Sequence, residues 1–341
     1  QAGTAQIEAN VDDQHTASCT LAVRAPDKEQ QYCGSMRQKW SDRLTGNPYW
    51  KGEETQPEYK DVLASTDEQV TEILEKLVQG DDKILFSDLN LKKPSNPNST
   101  NTKDSEQFGT AVTRAKTMAI AWASKGSAYY QQPELLEKII YVLEWNYNHF
   151  YNEKLDNKAM FGNWWHWWIG IPQDLATTLI LVHDELSNEM LQKQAATLHL
   201  FNEDPLYIYR VPGAGGGAAE RTGANLADTC LVSILRGVAT DDASAIANGV
   251  KYFDRIVYLV EDGDGIYADG SFIQHNDLAY TGGYGGTLLG GAEKLLFLVN
   301  NTPWQIKTEQ CEILYNWIWD GVRPLYADGA IFDMVSGRGV A

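Results

Sequence analysis

The segment Asp269-Gly-Ser-Phe-Ile-Gln-His275-Asn-Asp-Leu-Ala-Tyr280-Thr-Gly-Gly-Tyr284-Gly carries the densest chemistry in the chain. It joins one histidine, two tyrosines and several glycines where the helical pattern breaks, and a turn-rich segment at a helix end can hold polar side chains in a cleft. An imidazole and a phenol nine residues apart could serve as general base and general acid. A lone histidine is more often structural, but the Tyr-Thr-Gly-Gly-Tyr context, which permits close backbone approach, favours a functional role. Taken singly, Asn225 in Arg221-Thr-Gly-Ala-Asn225 reads as a helix N-cap and Arg338 in Gly337-Arg338-Gly339 as a surface arginine. Four tryptophans, Trp164, Trp165, Trp167 and Trp168, fall within five residues. Flat apolar faces with polar rims suit a carbohydrate cleft better than a core needing four indoles together.

Three other motifs point elsewhere and are weak. Gly213 to Ala218 follows a strand-like Tyr207–Val211 and mimics a dinucleotide loop, but no alternation of strands and helices accompanies it. Asp262-Gly-Asp264-Gly begins like a calcium loop, then fails at Ile266 and lacks the closing glutamate. Asp264 and Asp269 could form a glycosidase carboxylate pair, for which an acidic turn is the plainer reading.

The elements that must position these residues are helical. Apolar spacing predicts helices over about 59–79, 106–126, 133–152, 172–187, 223–238, 242–260, 285–299 and 303–320, with Pro133, Pro172 and Pro303 at or near their starts. The first 34 residues are polar and poorly periodic, and read as an arm or linker before a single domain over 35–341. Residues 87–103 and 212–219 have loop composition. Eight or more helices with few strands and no strict repeat predict an all-α fold, a toroid of helical hairpins rather than a solenoid.

Composition narrows the partners. With 28 basic and 46 acidic residues the net charge is −18, which opposes nucleic acid and leaves any polyanionic substrate dependent on local arginines. No apolar run reaches the roughly 18 residues needed to span a bilayer, and no basic segment followed by an apolar one opens the chain. Of four cysteines, Cys19 and Cys33 enclose a short polar loop; a disulfide there would suit an extracellular protein, two unpaired thiols being the alternative. Cys230 and Cys311 read as core, and no spacing suggests zinc.

Together these motifs resemble the catalytic α-domain of polysaccharide lyase family 8, the hyaluronate, chondroitin AC and xanthan lyases. The resemblance covers about Met36 to the last residue: Asn163-Trp164-Trp165-His-Trp with Ile169-Gly-Ile-Pro172, Thr222-Gly-Ala-Asn225, the His275–Tyr284 segment, and Gly337-Arg338. Fifty residues separate Asn225 from His275, and sixty-three separate His275 from Arg338. The resemblance implies an α/α toroid that cleaves uronic-acid polysaccharides of the hyaluronan or chondroitin type by β-elimination, with xanthan as the nearest alternative. A hydrolase or a non-catalytic carbohydrate-binding toroid are the other classes to exclude. It implies that Asn225 neutralises the uronate carboxylate, that His275 and Tyr284 share base and acid roles, and that Arg338 eases ionisation of a phenol that normally titrates near ~10. Asn163, Trp164, Trp165 and Arg221 would bind the sugar chain; His166, Trp167 and Trp168 are less certain. No metal or organic cofactor is implied, and an extracellular or periplasmic setting is. The family places a second arginine four residues after the Gly-Arg arginine, followed by β-sandwich domains. The expectation is therefore a chain lacking those C-terminal domains, whose activity alone is in doubt.

Overall fold

The computed structural model describes residues 3–12, 15–23, 27–81, 83–96, 99–155, 160–209, 218–275 and 277–339, the first two stretches by backbone alone. The glycine-rich segment Gly213 to Gly217 lies outside them, so the dinucleotide-like motif has no structural counterpart to report.

Several helices begin where the sequence supplies a start signal. Asp27 caps α1 (Lys28–Thr45) in a reciprocal capping box with Gln30, and Gly46 closes it in the left-handed region. Prolines open α2 (Pro57–Lys76) and α4 (Pro133–His149), where a missing N–H costs nothing. Asn101 caps α3 (Thr102–Ala123) and Ser187 caps α6 (Asn188–Phe201). Between α4 and α6 runs α5 (Ile171–Leu181), preceded by a π-helical turn over His166–Gly170. The second half holds α7 (Gly223–Thr240), α8 (Ala243–Val250), the short α9 (Phe253–Ile256), α10 (Gly286–Val299) and α11 (Glu312–Asn316).

Successive helices pair, α2 with α3, α3 with α4, α5 with α6 and α7 with α8, while α3, α5, α7 and α10 pack side by side across the pairs. Fifteen of the eighteen residues of α7 are buried and it packs against α1, α5, α6, α8, α9 and α10, so this helix takes the centre. The result is the incomplete α/α toroid of helical hairpins expected from the helical pattern.

Strands are short. A hairpin joins β1 (Gly3–Asp12) to β2 (His15–Val23), and β3 (Tyr207–Tyr209) pairs with β4 (Ala218–Glu220). A three-stranded antiparallel sheet has the order β5 (Gly265–Ile266), β6 (Phe272–Gln274), β7 (Leu278–Ala279), and β8 (Tyr326–Ala327) pairs with β9 (Ala330–Ile331). None of these sheets, among the described residues, closes into a β-sandwich.

Several boundaries depart from the sequence pattern. The helix expected at 242–260 breaks after Val250, because Val257 and Leu259 lead into an extended stretch where Leu259 bridges Ile266. The one expected at 303–320 becomes a tight turn at Thr308–Cys311, the short α11, and a π-helical turn at Trp317–Val322. Helical structure begins at Lys28, inside the stretch read as an arm. Cys33 therefore sits within α1 as a free, fully buried thiol, which corrects the proposed Cys19–Cys33 disulfide; the Cys19 side chain lies outside the described residues. Cys230 and Cys311 are free and buried, as core residues should be.

Candidate functional site

The sheet β5-β6-β7 delivers His275. Phe272, the first residue of β6, is fully buried, Ile273 pairs with Gly265 on one side and Ala279 on the other, and the chain leaves the strand at His275 with φ +58°. After β7 the chain enters a π-helical turn, Thr281–Gly285, which carries Tyr284 directly into α10. The Tyr284 ring meets His275 edge-on at 4.6 Å and Tyr280 at 4.9 Å between centroids. Tyr280 is only 6% exposed and forms the floor of this group, while Tyr284 is half-buried.

Arg338 closes the group. Gly337 has φ +57°, and a Cβ there would fall 2.3 Å from the Tyr280 ring, so only glycine lets the backbone pass this close. The Arg338 guanidinium then reaches over, and Nη2 donates to His275 Nε2 at 2.9 Å. A guanidinium has no acceptor, so His275 must offer a lone pair at Nε2 and carry its proton on Nδ1. Burial, and then the Arg338 charge, push the His275 imidazolium below the ordinary histidine range, with Asp264 opposing, which favours that neutral form. Hydrogen bonding to Tyr280, with Tyr284 adding to it, holds Arg338 more firmly charged than usual.

Asn225 arrives from another element. It lies in the first turn of α7, half-buried, and among the described residues its amide has no hydrogen-bond partner. The start of α7 is tied to β6 by Gln274, which is 2% exposed. Gln274 Oε1 accepts from the Ala224 N–H at 3.3 Å, and its Nε2 donates to Asp264 Oδ2 at 2.9 Å. Thr222 Oγ1 donates to the same carboxylate oxygen at 3.1 Å. Gln274 therefore links the helix turn of Asn225 to the strand that presents His275. Sequence reasoning missed it; the available signal was a polar amide immediately before His275, at a strand position that turns out to be buried. Tyr280 belongs to the same motif, and its buried ring forms the floor beneath Tyr284.

The two aspartates of the hydrolase reading are engaged elsewhere. Asp264 is the acceptor of the Gln274–Thr222 network, and Asp269 Oδ1 accepts from Ser271 N at 2.9 Å and Ser271 Oγ at 2.6 Å within a turn.

The tryptophans divide. Trp167 and Trp168 are 1% and 2% exposed and belong to the core. Trp167 packs with Phe108 and Phe161 at 5.9 and 5.4 Å, and its Nε1 donates to Phe161 O at 2.8 Å. Such aromatic contacts are worth about 0.5–1.5 kcal/mol each beyond area burial, and they fix the helical run from which the other two indoles project. Trp164 is half-buried beneath the Arg221 guanidinium, 4.6 Å from its ring centroid, and burial lowers the proton affinity of Arg221. Trp165 is 39% exposed. Asn163 caps this run, its Oδ1 accepting from Trp165 N at 3.0 Å, so its carbonyl is already engaged in holding the indoles. His166 Nδ1 lies 2.8 Å from Ser105 Oγ, which tethers it to α3. Among the described residues no group of histidines, cysteines and carboxylates could hold a metal ion.

The cluster can therefore polarise a carboxylate with an amide, move a proton at a phenol, and stabilise anionic charge with a guanidinium. Residues 40–341 match the family described as polysaccharide lyase family 8, N-terminal alpha-helical domain. The chain is 32% identical over 317 residues to a xanthan lyase of Bacillus sp. (strain GL1), covering 90% of this chain and 30% of that protein. It is 31% identical to a hyaluronate lyase of Cutibacterium acnes over 335 residues, covering 96% of this chain and 38% of that one. Among solved structures it resembles Paenibacillus xanthan lyase with TM-score 0.78 and 25% identity, over 91% of this chain and 27% of that one. Streptomyces coelicolor A3 chondroitin AC lyase, in complex with chondroitin sulphate, matches with TM-score 0.76 and 26% identity, over 90% and 38%. The chain thus spans less than two fifths of the length of these four relatives.

Proposed function

Because the chain belongs to polysaccharide lyase family 8, we propose that it cleaves a uronic-acid polysaccharide of the hyaluronan or chondroitin type by β-elimination. In this reaction the C5–H bond of the uronate breaks, its electrons become the C4–C5 double bond, and the C4–O bond opens. The proton ends on the departing glycosidic oxygen. The C5 proton is acidic only while the neighbouring carboxylate is neutralised, which is the work of an uncommitted amide donor; Asn225 supplies one at the positive end of α7.

The observation that carries the reading is the contact of Arg338 Nη2 with His275 Nε2, with Tyr284 edge-on to the same imidazole. The Arg338 N–H fills the lone pair at His275 Nε2, so that atom is not free to take the C5 proton. This favours Tyr284 as both base and acid on one face of the sugar, with His275 orienting the carboxylate and Arg338 stabilising charge as it develops on the phenol oxygen. Arg221, Trp164, Trp165 and Asn163 would hold the chain. A polysaccharide substrate suits an extracellular or periplasmic setting; no described helix is long and apolar enough to cross a membrane.

Xanthan is the second reading, favoured by the identity to xanthan lyase. The test is to incubate the protein with hyaluronan, chondroitin sulfate and xanthan and follow the ultraviolet absorbance of unsaturated uronate. The parent should produce it, and Tyr284→Phe should bind polymer without turnover. Reducing ends without absorbance would make the protein a hydrolase, and an active Tyr284→Phe would overturn the phenol's role.

A further inference from the structure

Tyr280 is the buried member of the group around His275. It is 6% exposed, whereas His275 and Tyr284 are half-buried and Arg338 is exposed. Its backbone is held at both ends: the Tyr280 N–H donates to Phe272 O in β6 at 2.9 Å, and its carbonyl accepts from Gly283 N at 3.2 Å and Gly285 N at 2.9 Å within the π-helical turn. Its ring is boxed in as well. A Cβ at Gly283 would fall 2.4 Å from that ring and one at Gly337 2.3 Å, so bare backbone lies against it from both segments.

Arg338 has no such support of its own. The stretch 332–339 that carries it contains no buried residue, and a long arginine side chain loses much rotamer freedom when it is fixed in one place. The guanidinium donates to His275 Nε2 at 2.9 Å and hydrogen-bonds to Tyr280, with Tyr284 beside it. Its N–H donors form a rigid planar fork, so bonds to two partners set the direction of the rest. Tyr284 must lose and regain its proton in each cycle, and it cannot be the fixed anchor of the charge that serves it. Of the groups that meet the guanidinium, the buried phenol of Tyr280 is the one that neither reacts nor moves.

We propose that Tyr280 is a positioning residue for the elimination: its buried phenol holds the Arg338 guanidinium beside Tyr284, so that the positive charge is in place before the proton moves. The proposal rests on the lyase reading and adds to it a second tyrosine that exchanges no proton with the sugar. Charge aimed in advance at the atom where negative charge develops needs no reorganisation during the reaction.

The experiment uses the full chain and Tyr280→Phe, which keeps the ring between Gly283 and Gly337 and removes the hydroxyl. Release of unsaturated uronate from hyaluronan, chondroitin sulfate and xanthan is followed against polymer concentration and pH. The loss of a hydrogen bond to a charged group should lower kcat about tenfold and leave KM within about twofold. The rise of kcat with pH should move upward by about one unit, because the loosened guanidinium stabilises the phenolate less. The His275 titration, read by NMR, should also move upward as the Arg338 charge recedes; Asp264, the other charge acting on His275, stays bonded to Gln274 and Thr222. In an Arg338→Ala background the same substitution should cost less than about twofold, since the group it acts through is gone. A Tyr280→Phe kcat close to that of the parent overturns the proposal. So does an equal loss in both backgrounds, or a loss with the pH profile and the His275 titration unmoved, since the hydroxyl would then serve packing alone. If the unsubstituted chain releases no unsaturated uronate from any of the polymers, the lyase reading itself falls and the positioning role with it.

Discussion

Replacing Gly223 by alanine tests whether the link between α7 and β6 sets the geometry of the site. Gly223 has φ +51°, and a Cβ there would lie 2.2 Å from Gln274 Oε1. The amide cannot swing aside freely, since it is 2% exposed and bonded to both Ala224 N and Asp264 Oδ2. A left-handed alanine costs about 1–2 kcal/mol, and displacing a buried, hydrogen-bonded amide about 1–3 kcal/mol. Gly223→Ala should therefore lose about 2–5 kcal/mol of stability, read as a lower urea midpoint with an unchanged slope. Asn225 lies two residues on, in the turn that must shift. Misplacing or losing such a donor costs about 10²–10³ in kcat, with KM little moved because the rest of the sugar contacts remain. Initial rates of unsaturated-uronate release across a range of polymer concentrations separate the two constants. A variant that loses stability yet keeps its kcat would refute the claim that Gln274 positions Asn225. One that keeps both would refute the packing argument as well.

Two further outcomes follow from the titrating groups. Because the His275 imidazolium is disfavoured by burial and by Arg338, the neutral form should persist below the usual ~6.5, and Arg338→Ala should move its titration upward; histidine NMR titration reads this directly, and a downward movement would contradict the assigned contact. Burial raises the Asp228 carboxyl to about 6, against Gln173 and Lys294, so the native state holds this proton more tightly than the unfolded chain does. Its contribution to stability is then greatest below about pH 4 and declines as pH rises through about 6. Asp228→Asn should raise stability at pH 7 by up to about 2–3 kcal/mol and change little at pH 4, and equal gains at both values in denaturation experiments would exclude this cause.

Helix identity was legible because its signals are local. Prolines at 133 and 172, the apolar spacing of α3 and α7, and the break around 87–103 follow from short-range sterics and periodicity. What failed depended on distant partners or on signals set within polar sequence. α1 starts at Lys28 through an Asp27–Gln30 capping box that a reading weighted to apolar spacing passes over. α6 was missed because its buried positions include Gln194 and Thr197, which look polar in sequence. The tryptophan run could not be sorted by composition; only packing against Phe108, Phe161 and Phe201 separates the core Trp167 and Trp168 from the exposed Trp165. His275, Tyr284 and Arg338 were found as a motif, but their contact needs the backbone to fold past Tyr280 at Gly337, a tertiary event with no local signature.

The π-helical turns bear on how relatives of this chain should be aligned. His166–Gly170 and Thr281–Gly285 each run without a break into the helix behind them, α5 and α10. A π turn holds one more residue than the α turn it replaces, so losing that residue lets the helix close again without unravelling. Every side chain ahead of the deletion would then rotate by about 100° about the axis. A one-residue gap beside Tyr284 could be taken for harmless loop variation in an alignment, although it would swing the phenol away from His275. The count of residues in these turns is therefore as much a part of the site as the identities of its side chains.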